Sequence, residues 1–269
     1  MNIKELRQQP HLSISAINDY IECGLLYKLG RIDRLRPEFM PDVLLFGTSI
    51  HRVLERYYTR VMTGQPMVLN EILTRFEFFW KEQTSDCIEI RFSNGNDYNS
   101  LLIKGKAMLE VWFEKLPEDN YRIIGIEKAF SFMISGVPIP IIGAMDLVQE
   151  DDGGTIIITD HKTAAKAYTN SQVDKNQQLT VYQMAAKANG YADRDIILKF
   201  DGFIKTKKPK FERYYTVRTE ADEARMIPKI QAVWEGISKG VFIPNDLSWR
   251  CGNCRYHGAC NEWFMQNAV

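Results

Sequence analysis

The chain has 269 residues, 45% of them apolar and 12% aromatic, with 34 basic residues balanced by 34 acidic ones. That length and apolar fraction support one large domain or two joined ones. The zero formal net charge excludes a protein that coats nucleic acid by bulk charge, while permitting basic residues concentrated in one groove. No charged, apolar leader opens the chain, and no apolar run approaches the roughly 20 residues needed to cross a bilayer. The expectation is a soluble, cytoplasmic protein with no membrane partner.

Ser13 or Ser15 caps a helix that begins in Ser15-Ala-Ile-Asn-Asp-Tyr, with Cys23 near its end before Gly24. Pro37 and Pro41 mark the next connection. Ile50, Val53, Leu54 and Tyr57 recur at helical spacing between Phe46 and about Val61, with His51 beside them, and Gly64 and Pro66 stop that element. Two further helices are expected over Leu69–Thr84 and Leu101–Leu116. The texture changes after Pro117. Strands are expected over Arg122–Phe132, Ile139–Val148 and Thr155–Asp160, the last two joined by the turn Asp151-Asp-Gly-Gly. A helix from about Asp174 to Ala188, a strand pair over Ile196–Phe203 and Tyr214–Val217, and a helix over Glu220–Ile237 complete the pattern. Helices on both sides of a central mixed sheet make an α/β fold. The expected organisation is one domain, 1–269, with a helical region over 1–116, a core over 117–240 and a cysteine-rich segment over 241–269.

Asp146 and Asp160 lie on successive strand-like runs, and Lys162 follows Asp160 at the period-two spacing that puts both side chains on one strand face. Two carboxylates offer hard oxygen ligands for Mg2+ or Mn2+, and an adjacent amine can orient water and stabilise charge developing on a phosphate. A solvated ion pair would use the same residues. Gln178 and Tyr182 stand four apart on one helix face, able to bind a phosphate backbone or to finish the edge of the core. His51 adds an imidazole from a different helix. No Gly-Lys-Ser/Thr phosphate loop is present, which disfavours nucleotide hydrolysis.

Four of the five cysteines form a second pattern: Cys251-Gly-Asn-Cys254, then Cys260, with Cys23 more than two hundred residues away. The spacing suits a soft-metal site clasping the two ends of the chain, either Zn2+ or an iron–sulfur cluster. A zinc knuckle ordinarily draws two C-x2-C pairs and only one is present. His257 lies inside the loop as a further donor, and Cys87 is read as a spare thiol. Lys205-Thr-Lys-Lys-Pro-Lys210 falls in an expected hairpin connection suited to backbone phosphates. Tyr20, Tyr27, Trp249 and Tyr256 near the cysteines either stack on single-stranded bases or pack the clasp.

With His51, Asp146, Asp160-His-Lys162 and Gln178–Tyr182 in this order, the sequence resembles the RecB-type branch of the PD-(D/E)XK nuclease superfamily, which includes the CRISPR-associated exonucleases and the AddB nuclease domain. The resemblance runs from about Ser13 to Cys260 and implies a restriction-endonuclease-like core. It implies that His51, Asp146, Asp160 and the His161 carbonyl hold the divalent metal and that Lys162 positions water, with Gln178 and Tyr182 also in the catalytic group. Glu127 matches a further acidic position and is a candidate to join the metal ligands. Asp at residue 160, where much of the superfamily has Glu, is common in this branch. Members with this cysteine arrangement hold a [4Fe–4S] cluster, which assigns one to Cys23, Cys251, Cys254 and Cys260. The implied activity is a DNA exonuclease or end-processing nuclease acting on single strands or accessible ends. A CRISPR-associated nuclease trimming DNA before integration, with an integrase partner, is one alternative; a noncatalytic DNA-binding or scaffold protein is the other. Any helicase would be a separate chain, and a self-associated ring would suit processive digestion.

Overall fold

The computed structural model describes residues 2–85, 87, 89–116, 121–248 and 250–267. Polar caps set the helices of the first half. After α1 (Ile3–Leu6), helix α2 (Ile14–Glu22) starts at Ser13, whose hydroxyl accepts from the Ala16 N–H. Cys23 ends α2 and, through its sulfur, caps α3 (Gly24–Tyr27). The two-residue strand β1 (Met40–Pro41) leads into α4 (Asp42–Met62) and α5 (Leu69–Ser85). Strand β2 (Ile90–Arg91) pairs parallel with β1, and α6 (Tyr98–Glu114) opens on a capping box made by Asp97 and Ser100.

The second half is built on β3 (Arg122–Ile134), β4 (Val137–Glu150) and β5 (Ile156–Ala164), then α7 (Asn170–Asp174) and α8 (Gln177–Ala186). Strands β6 (Ile196–Ile204) and β7 (Lys210–Thr216), α9 (Glu220–Ser238) and α10 (His257–Asn267) follow. The sheet runs in the order β3-β4-β5-β6-β7. Its pairs are antiparallel except β5–β6, which are parallel and so need the crossover that α7 and α8 supply. In the β4–β5 turn, Gly154 has φ +86 and Asp151 accepts from the Thr155 and Gly154 amides, as the Asp151-Asp-Gly-Gly sequence led one to expect.

Alternation along the strands makes two cores. Ile156, Ile158, Leu198 and Phe200 join Ile17, Leu179, Val181 and Ile230 on one face. Leu147, Phe203 and Phe211 join Phe46, Ile50, Leu54, Phe76, Trp80 and Trp112 from α4, α5 and α6 on the other. The period-two pattern therefore continues the first face into Asp160 and Lys162, and sends Thr159 and His161 to the second.

The sheet also forks. Strands β4 and β5 pair only from Leu147↔Thr159 to Glu150↔Ile156. Beyond that point β5 stays with β6 as far as Ala164↔Ile204, while the rest of β4 follows β3. Asp146 and Asp160 sit on either side of the split. Farther along β4, the gap is filled by Leu12, whose N–H donates to the Pro140 carbonyl and whose carbonyl accepts from the Ile142 N–H.

Several boundaries depart from the sequence reading. Helix α4 begins at Asp42, four residues before Phe46, and α6 begins at Tyr98, three before Leu101. The helix expected from about Asp174 is broken: the Asn176 side chain accepts from the Gln178 and Leu179 amides and starts α8 afresh. Strand β7 starts at Lys210, so only residues 205–209 form the turn. The change of texture placed at Pro117 lies outside the described residues. Among the described residues no helix is long and apolar enough to cross a membrane.

Candidate metal centre and cysteine cavity

The fork brings together groups that are far apart in sequence. On α4, His51 follows Ile50 and is turned about 100° around the helix from it, off the core and toward β5. Its Nε2 lies 2.7 Å from the His161 carbonyl. A carbonyl only accepts, so Nε2 carries the proton and Nδ1 faces Asp146, 3.5 Å from Oδ2. Asp146 Oδ2 also accepts from the His161 N–H at 2.8 Å, a bond that spans the split between the strands. Glu127 lies between the pairs Ile126↔Leu147 and Lys128↔Met145, which puts it across β3–β4 from Asp146. Ligand atoms of His51, Glu127 and Asp146 all fall within 4.8 Å of one another.

Two carboxylates facing each other across neighbouring strands repel. Burial, followed by the nearby Asp146, pushes the Glu127 carboxyl up to about 7. Burial, followed by Asp160, pushes Asp146 up to about 6. The Glu127 backbone is strained as well, at φ +44, a left-handed conformation uncommon outside glycine. The two crowded acids and the imidazole nitrogen form a donor set that fits a hard divalent cation such as Mg2+ or Mn2+. The fit rests on this chain's own atoms: one nitrogen and two carboxylates converge where the sheet opens.

Asp160, expected among the metal ligands, is not in this trio. Its side chain is 1% exposed, and Lys162 Nζ approaches it at 2.8 Å from the same strand face. Burial acts to lower the Lys162 pKa, but Asp160 and then Asp146 outweigh it and leave the ammonium raised. Lys162 also donates to Gln178 Oε1 at 2.8 Å, and Gln178 Nε2 donates to the Tyr182 hydroxyl at 2.9 Å. Tyr182, held protonated by burial, lies with its hydroxyl 2.9 Å from the Ala144 carbonyl and 3.3 Å from Asp160 Oδ1. The i,i+4 pair on α8 is thus a bracket for Lys162. The His161 carbonyl, expected to face the cation, accepts from His51 here. The His161 ring lies in the core, 3% exposed and stacked on Tyr58, with centroids 5.8 Å apart and planes 6° apart. Burial, then His51, holds that imidazole well below its usual pKa and hence neutral.

In the clasp, Cys23, Cys251, Cys254 and Cys260 line one cavity with Leu25, Leu29 and His257. All four thiols are free of disulfides. Cys23 Sγ accepts from the Leu26 and Asn245 amides, each at 3.4 Å. Burial raises the thiol pKa values of Cys254 and Cys260, and neighbouring thiols add to it. The sulfurs are less tightly gathered than the acidic trio, which alone among the described residues brings three such ligand atoms within 4.8 Å. Tyr27 and Tyr256, considered as stacking platforms, are 8% and 4% exposed and pack the clasp instead. Tyr20 is tied down by its hydroxyl, which donates to the Val241 carbonyl at 2.6 Å. Trp249 lies outside the described residues. Cys87 stands apart and donates to the Gln83 carbonyl.

Known proteins resemble this chain in sequence or in fold. A "Gene 69 protein" of Mycobacterium phage D29 is 26% identical over 283 aligned positions, covering 93% of this chain and 96% of that protein. The crystal structure of a protein from Eubacterium rectale, described as a "Putative exonuclease", matches with a TM-score of 0.57 at 13% identity, over 90% of this chain and 87% of that one. The second likeness is one of fold alone. The model of the PD-(D/E)XK nuclease superfamily matches residues 11–261, nearly the whole length and every group described at the fork. With the forked sheet, the acidic trio and the bracketed lysine in place, that match means that the chain belongs to the PD-(D/E)XK nuclease superfamily.

Proposed function

We propose that the chain is a divalent-metal-dependent deoxyribonuclease of the RecB type, hydrolysing phosphodiester bonds from accessible ends or on single strands. The observation that carries this reading is the meeting of His51, Glu127 and Asp146 beside the Asp160–Lys162 pair. His51, Asp146 and Asp160, with Glu127 and the His161 carbonyl, would hold Mg2+ or Mn2+. Such a cation, once bound, supplies Lewis acidity toward the phosphoryl oxygen and lowers the pKa of water. Lys162 keeps its proton, so its part is electrostatic: it orients water and stabilises the charge that grows on the phosphate as the P–O bond breaks. Gln178 and Tyr182 fix the direction of that ammonium. The intact Asp146, Asp160 and Lys162 set speaks against a noncatalytic scaffold, and an end-trimming role before integration is a special case of the same chemistry.

Cys23, Cys251, Cys254 and Cys260 are read as ligands of a structural [4Fe–4S] cluster. Four thiolates around one zinc, at about 2.3 Å each, would lie about 3.8 Å apart. These sulfurs line one cavity, and the single C-x2-C pair is the sequence feature that favours the larger group over zinc. The two N–H donors on Cys23 suit a thiolate. Residues 1–269 are treated as one nuclease domain in a cytoplasmic setting, where thiols stay reduced.

The test is anaerobic purification followed by digestion of end-labelled single- and double-stranded DNA with Mg2+, Mn2+ or chelator. Cation-dependent shortening is expected, with Asp160→Ala slower by at least about 100-fold. Hydrolysis that survives chelator, or an unchanged rate in Asp160→Ala, would overturn the reading. Iron and zinc content of the same preparation decides the cysteine site.

A further inference from the structure

At the carboxyl ends of the parallel strands β5 and β6, two loops lie side by side. The Lys205 N–H donates to the Ala164 carbonyl at 2.7 Å, tying the β6–β7 turn to the end of β5. Ala164 stands two residues beyond Lys162, about 7 Å along the strand. Lys166 follows on one loop, and Lys205, Lys207 and Lys208 on the other. None of these four is ion-paired among the described residues, whereas on the neighbouring helices Arg52 pairs with Glu82 and Lys106 with Glu77. Lys166, Lys207 and Lys208 are exposed. Lys205 is half-buried, with its Nζ 4.9 Å from the centroid of the Phe46 ring on α4. Burial lowers its pKa, and Lys104 lowers it further. The carboxylate that opposes this shift, Asp42, already accepts from the Ser93 amide and hydroxyl.

Four lysines with no ion pair, set on two touching turns, make a concentrated positive surface that complements a polyanion. We propose that Lys166, Lys205, Lys207 and Lys208 form a collar that grips the nucleic-acid backbone one to three phosphates from the bond being cut. The proposal rests on the nuclease reading for its substrate class. Lys205 is the fixed post of the collar, set by Phe46 and the Ala164 carbonyl; the other three are adaptable contacts that carry no sequence preference.

The experiment measures single-stranded oligonucleotide binding by fluorescence anisotropy across a salt series, with Mg2+ present and every protein carrying Asp160→Ala to prevent cleavage. Removing Lys166, Lys207 and Lys208 together as alanines should reduce the log–log salt slope by about 2 and weaken binding about 10- to 50-fold near 0.15 M salt. Taking the same charge from Lys4, Arg7 and Lys81, exposed residues elsewhere, should leave the slope as it was. Lys205→Met keeps the stem on Phe46 and should lower the slope by about 0.7; a fall in melting temperature with no change of slope would reduce Lys205 to a packing role. Equal slopes for the collar variant and the control variant would overturn the proposal. Wild-type cleavage is assayed in parallel: absence of cleavage with the collar effect intact would sink the nuclease reading alone, and cleavage with an unchanged slope would sink the collar alone.

Discussion

The acidic fork and the cysteine cavity are built in opposite ways. At the fork, every group stands on a long element: α4, β3, β4, β5 or α8, each packed into one of the two large cores. Register and helix phase hold the side chains there, so the centre is preformed. The cysteines sit on a helix cap, a short 3-10 turn and the start of α10, over a core whose fully buried members are Leu25, Leu29 and Tyr256. Leu26, Ala259 and Trp263 pack against these three only partly buried, so this core offsets less of the entropy of fixing its loops than either large core does. The fork therefore crowds two acids that a bound cation would relieve, whereas the clasp is a set of short elements over a small core.

The largest effect should come from breaking the weaker partner in this contrast. Cys254→Ser is expected to abolish bound iron or zinc and to open residues 241–267 to protease, while the strands at the fork stay protected; hydrogen exchange resolves the two regions. Equal loss of protection at both would erase the distinction. A middle-sized effect is expected from Glu127→Gln, which removes one of the crowded acids and should weaken Mn2+ binding about 10- to 100-fold. It should also change the pH profile. The folded Glu127 carboxyl lies at about 7, above its ordinary value of 4.5, so the native state holds a proton that the unfolded chain has lost between those values. Without metal, stability should then fall as pH rises from about 4.5 to about 7. Mn2+ should reverse that fall, and Glu127→Gln should reduce it to the part that Asp146 contributes below about 6, as thermal melts with and without chelator will reveal. The smallest effect belongs to Tyr182→Phe, which removes the hydroxyl from the Lys162 bracket. A cost of about 1 kcal/mol in stability is expected, with a decrease in kcat and little change in KM.

The contrast also explains what could be read from the sequence. Asp160 and Lys162 share a face because the strand period is two, and Gln178 reaches Tyr182 because the helix period places them one turn apart. Both follow from spacing alone. His51 is visible as the polar neighbour of a regular apolar stripe. Glu127 carries no such mark: its place opposite Asp146 depends on a register shift between Ile123 and Gly125, and its backbone adopts a conformation that no propensity foretells. His161 enters the sequence reading through its carbonyl alone; that its amide donates to Asp146 across the fork and its ring anchors the peptide on Tyr58 has no mark in the spacing. The aromatic residues near the cysteines could not be divided into platform and filler by composition, since burial there depends on loops folding over them. Asn176 hid in a helical pattern because one polar residue does not disturb apolar periodicity, yet its carboxamide begins α8.

Leu12 bears on how the molecule behaves outside its reaction. By bonding to Pro140 and Ile142, it occupies the part of β4 that β5 has left. Were that segment displaced, several consecutive peptide groups would be offered to any passing strand, a ready seed for intermolecular sheet growth. The opening that admits chemistry at one end of the split would then invite precipitation at the other, and a single leucine, 1% exposed, guards against it.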